Sequence, residues 1–80
     1  MELKNIGKQI KNVRKKKEWS QEDLARKADI PLSTIAKIEV GIIKNPSIEK
    51  IAKIASALGV SVDELLNIKQ TKTYGSNKNL

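Results

Sequence analysis

The sequence predicts an all-α domain of five short helices, and three observations carry that expectation. Aliphatic residues recur three and four apart along most of the chain, the period of helices with one buried stripe. Ser20, Ser47 and Ser61 each precede such a run and are good helix N-caps, while Gly41 and Gly59 close two of the runs. β-Branched residues rarely alternate with polar ones, so little of the chain reads as strand.

The first helix lies within residues 1–19, the most basic part of the chain. Ile6, Ile10 and Val13 form its apolar stripe, and Lys4, Lys8, Lys11, Lys15 and Lys16 mostly lie off it. Such basicity also fits a helix lying on a membrane surface, but the stripe is needed for the core. Trp19 follows at the junction with the second helix, where a wedge into the core is the expected role.

The second helix starts after Ser20, with Asp23 three residues on in a near capping box and Leu24, Ala25 and Ala28 at helical spacing. Asp29, Ile30 and Pro31 break the run, because Pro31 disfavours helical geometry at Ile30. A third helix, about Leu32–Val40, puts Ile35 and Ile38 on one side and Ser33, Lys37 and Val40 on another. Glu39, one turn after Ile35, falls near the buried face, where a carboxylate needs a partner. Arg14, one turn after Ile10 and beside the first stripe, is the natural candidate for a structural ion pair.

A loop at 42–46 follows. The fourth helix begins after Ser47, with Glu49 in its first turn, and carries Ile48, Ile51, Ala52, Ile54, Ala55 and Leu58 as a wide apolar face. Ser61, with Glu64 three residues on, makes a capping box for a short fifth helix bearing Leu65, Leu66 and Ile68. A helix so short leaves apolar surface, so Leu66 and Ile68 are expected at the interface of a homodimer. Residues 1–68 therefore read as one folded domain and 69–80, polar and poor in apolar residues, as a flexible tail or linker.

Composition narrows the chemistry. The 80 residues contain no Cys and no His, which removes disulfides, thiolate metal sites, ordinary zinc ligation and Ser-His or Cys-His catalysis. Glu22, Asp23, Asp63 and Glu64 crowd helix starts, where capping explains them better than acid–base catalysis. Neither an enzyme nor any cofactor is implied. The net charge is +7, with an isoelectric point near 9.8. That balance points to a polyanionic partner, nucleic acid first and an anionic membrane second, with simple solubility as the alternative. No apolar run approaches a membrane span and the N-terminus lacks a signal-peptide core, so the expected compartment is the cytoplasm.

Two helices joined by a turn of three or four residues form a helix-turn-helix, whose second helix enters the DNA major groove. Residues 20–41 (SQEDLARKADIPLSTIAKIEVG) have that pattern. With NPSIEKIAKIASALGVSVDELL after it, the segment resembles the Cro/cI-type (xenobiotic-response-element) helix-turn-helix family over residues 6–66. The resemblance implies a phage-repressor-like fold. It also implies sequence-specific binding of a double-stranded DNA operator with two-fold half-sites, by a homodimer acting as a transcriptional regulator, with repression as the expected outcome.

Residue by residue, the resemblance places Leu32, Ser33 and Lys37 against base edges, and Thr34 and Ala36, which flank Ser33 and Lys37 on the third helix, are expected there with them. It places Arg14, Ser20, Gln21, Val40, Lys44 and Asn45 against phosphates, and an Arg14–Glu39 pair between the first and third helices. The chain departs from the family in three places. Leu32 stands where members often carry Gln or Arg, Pro31 replaces a frequent Ser or Thr cap, and the loop after Gly41 is one residue longer. The rival reading is an antitoxin or adaptor that uses the same fold to grip a partner protein.

Overall fold

A computed structural model describes residues 5–66. They form five helices: α1 (Ile6–Lys16), α2 (Gln21–Ala28), α3 (Leu32–Val40), α4 (Ile48–Leu58) and α5 (Val62–Leu66), with no strand among the described residues. The expected tail at 69–80 and Ile68 lie outside the described residues.

One apolar core joins the helices. Ile10, Leu24, Ile35, Ile38, Ile51, Ile54, Leu58 and Leu65 are its fully buried large side chains. α1 packs on α3, α2 packs on both α3 and α4, and α5 closes the assembly against α1 and α4. Trp19 is half-buried against this core, with the Lys17 and Lys27 ammonium groups 5.5 and 5.0 Å from its ring centre.

The caps follow the sequence. The Ser20 hydroxyl accepts from the Asp23 N–H at 3.0 Å while the Asp23 carboxylate accepts from the Ser20 N–H at 2.8 Å. These bonds, the backbone one first, and the Arg26 contact hold the Asp23 carboxyl below its ordinary pKa. Ser61 and Glu64 repeat the reciprocal pattern, and Ser47 caps α4 through the Lys50 N–H.

Helices α1 to α4 all end alike. A left-handed residue (Glu18, Asp29, Gly41 or Gly59) is followed by an N–H that bonds back into the last turn. The four bonds are Trp19 to Arg14, Ile30 to Ala25, Ile42 to Lys37 and Val60 to Ala55, each to the carbonyl oxygen. Pro31 occupies the N-cap of α3 with no side-chain cap bond, so α3 starts at Leu32.

The apolar face of α4 is narrower than the sequence predicts. Ile51, Ile54, Ala55 and Leu58 are buried, but Ile48 is 68% exposed and Ala52 is also exposed. On a helix of 3.6 residues per turn, the four buried positions fill an arc of about 100°, and Ile48 and Ala52 lie on its flank.

Candidate nucleic-acid interface

The geometry of the site starts from how α3 is held. Its inward side chains, Ile35 and Ile38, are buried in the core. The Glu39 carboxylate, 2% exposed, accepts two hydrogen bonds from Arg14, Nε to Oε2 at 2.7 Å and Nη2 to Oε1 at 2.9 Å. A third comes from the Gln21 side-chain amide at 3.0 Å. Arg14 Nη1 donates to the Trp19 carbonyl at 2.7 Å. One carboxylate therefore ties α1, the start of α2 and the end of α3 together. The paired geometry raises the Arg14 pKa above its ordinary value, chiefly through the Glu39 hydrogen bond.

Close packing fixes the same joint from outside. A Cβ at Gly7 would collide with the Ile38 carbonyl oxygen and crowd that of Glu39, so the first turn of α1 lies directly on the last turn of α3. A cleft of about 550 Å³ opens beside this contact, lined by Lys8 from α1, Val40 from α3, and Lys44 and Asn45 from the loop, among others.

The clamp leaves the opposite face of α3 free. Ser33, Lys37 and Val40 are exposed, Leu32 is 41% exposed, and Thr34 and Ala36 are half-buried. Ser20 is exposed and Gln21 half-buried at the start of α2, whose N-terminal N–H groups and dipole favour an anion. Lys44 and Asn45 are exposed beyond the C-terminal end of α3. The residues expected at base edges thus share one helix, which Val40 ends, and Gln21, Lys44 and Asn45 flank it.

The structure adds to three expectations. Arg14 is only 7% exposed and its guanidinium donates to Glu39 and to Trp19, so the expected pair with Glu39 forms and much of the donor capacity of Arg14 is used within the fold. Gln21 bonds Glu39, a contact that its place at a helix start did not signal. Leu66 is half-buried against the core, which reduces what it offers a second copy, and Ile68 lies outside the described residues. Lys8 was missed as a neighbour of Lys44, because only the fold brings the two to one cleft. Among the described residues, no helix is long and apolar enough to cross a membrane.

A family model described as helix-turn-helix matches residues 10–65. The chain belongs to the Cro/cI-type helix-turn-helix family. This helix-turn-helix chain is 42% identical over 69 residues to the HTH-type transcriptional regulator SinR of Bacillus licheniformis, covering 86% of this chain and 62% of SinR. It is 36% identical over 61 residues to the immunity repressor protein of Bacillus phage phi105, covering 76% of this chain and 42% of the repressor. It spans about three fifths of the length of the SinR proteins it matches, or 62%.

Solved structures agree on the helix-turn-helix fold. SinR, called the master regulator for biofilm formation, in complex with DNA superposes with a TM-score of 0.74 at 43% identity, over 76% of this chain and 97% of that one. The SinR/SinI protein complex gives 0.76 at 38% identity, over 88% and 68%. By their names these relatives are transcriptional regulators and a repressor.

Proposed function

We propose that the chain is a sequence-specific, double-stranded-DNA-binding transcriptional regulator that acts as a repressor in the cytoplasm, with α3 in the major groove. The observation that carries this reading is the pairing of a rigidly clamped α3 with an open outer face bearing Ser33 and Lys37. Clamping fixes the helix before binding, and the open face is where base edges are read. Leu32, Ser33, Thr34, Ala36 and Lys37 contact bases. Ser20, Gln21, Val40, Lys44 and Asn45 contact phosphates, and Lys8 joins Lys44 in drawing the backbone in. The net charge of +7 supports the same partner.

Two copies bind an operator of two-fold half-sites one helical turn apart, each copy placing one α3. The SinR structure solved with SinI supports, as a second reading, an additional protein partner for this chain.

The test is titration of labelled duplexes, first random and then those enriched from a random pool, at several salt concentrations. Binding should weaken linearly in log–log form as salt rises, and enriched duplexes should bind at least tenfold tighter than scrambled ones. Equal affinity for all duplexes, or no salt dependence, would remove the reading.

A further inference from the structure

Helix α3 lacks the side chains that discriminate bases most strongly. Residues 32–40 (LSTIAKIEV) contain no Arg, Asn or Gln, so the bidentate contacts those residues make to guanine or adenine are not available from it. Glu39 is turned inward onto Arg14 and Gln21. That leaves Ser33, Thr34 and Lys37 as polar readers, and hydroxyls pair with either kind of edge.

What α3 exposes instead is aliphatic. Leu32 is 41% and Val40 67% exposed, and Ala36 is half-buried between them. Spaced four apart, they form one row along the helix beside the Ser33 and Lys37 row. Leaving this row in water is unfavourable, and the adjoining Lys37 ammonium calls for a partner that is anionic overall yet locally apolar. The major groove supplies that combination, because the 5-methyl group of thymine is the one aliphatic feature on its base edges.

We propose that Leu32 and Ala36 of this row read pyrimidine 5-methyl groups, with Leu32 as the main specificity-determining residue. The N-terminal residues of a recognition helix contact the base edges, which puts Leu32 first. Val40 lies about 12 Å further along the axis and sits towards the groove's wall. Each half-site therefore carries thymine, or equally 5-methylcytosine, opposite Leu32. This inference rests on α3 being the groove helix.

The experiment uses the full chain on an enriched duplex in which each thymine is replaced in turn by deoxyuridine, which keeps the pairing edge and removes only the methyl group. At one position per half-site the wild type should lose about fourfold per methyl, the worth of one buried methylene, and Leu32→Ala should be insensitive at that position. Replacing the thymine pair by a 5-methylcytosine pair should bind more tightly than the same pair without the methyl group. Wild type that ignores every deoxyuridine, or Leu32→Ala that keeps the same loss, overturns the inference while leaving DNA binding intact. Failure to enrich any duplex overturns the DNA-binding reading itself, and the inference with it.

Discussion

Glu39 is the residue on which the helix-turn-helix depends for its shape. Its buried carboxylate takes two bonds from Arg14 and one from Gln21, so removing a partner strands a desolvated charge. Arg14→Ala should destabilise the fold by about 3–5 kcal/mol, with a large coupling to Glu39→Ala in a double-mutant cycle by chemical denaturation. Additive single-mutant effects would mean that the pair is not an interacting unit. Asp23 gives the pH dependence. Its folded pKa lies below the ordinary 3.8, so its capping interaction stabilises the folded chain above that value and is lost as pH falls through the folded value. Asp23→Asn should therefore melt at a lower temperature than wild type at neutral pH, with the difference closing in acid, as followed by circular dichroism. The Arg14–Glu39 pair was legible because each residue adjoins an apolar stripe. The Gln21 bond was not, since it depends on the angle between α2 and α3, which no local pattern encodes.

At the scale of the element, the sequence reads best where the cause is local. Caps at Ser20, Ser47 and Ser61 and the left-handed closures at Gly41 and Gly59 need only neighbouring residues. Glu18 and Asp29 adopt the same left-handed geometry without being glycine, so composition alone did not mark Glu18 as an end. The width of the α4 face was overestimated because burial of Ile48 depends on what lies across from it, not on its own hydrophobicity. Gly7 is a further case. Nothing in its surroundings in sequence distinguishes it, yet it allows α1 to lie against the Ile38 and Glu39 carbonyls. Gly7→Ala improves intrinsic helix propensity by up to about 1 kcal/mol, but the added Cβ meets backbone that cannot yield without moving α3. The clash should win, giving a net loss of about 1–3 kcal/mol in denaturant melts. A more stable Gly7→Ala protein would show that the α1–α3 contact is looser than described. Because the same contact sets α3, operator affinity should fall with stability.

For the whole molecule, the division of labour between groove and backbone is the decisive matter. The five-helix fold and the outward face of α3 were legible from periodicity, since one short domain of this pattern has few ways to bury its stripes. The juxtaposition of Lys8 with Lys44 was not, since it joins residues from opposite sides of the helix-turn-helix. Lys37 stands on the outer face of α3, one turn beyond Ser33, whereas Lys44 stands in the loop past its end. A groove-facing ammonium discriminates between base pairs, and a backbone-facing one attracts all sequences alike. Lys37→Ala should therefore cost about 1–3 kcal/mol on operator, much less on scrambled duplex, and relax preference at one base pair in each half-site. Lys44→Ala should weaken both duplexes equally and reduce the slope of log affinity against log salt by about one unit for each phosphate contact removed. Neither side chain has a salt bridge to another described residue, so these losses should appear in binding and not in thermal stability. Titration of both variants on both duplexes at several salt concentrations separates the two roles. Equal losses for Lys37→Ala on operator and scrambled DNA would move Lys37 to the backbone, and sequence preference would then rest on the aliphatic row and on DNA shape.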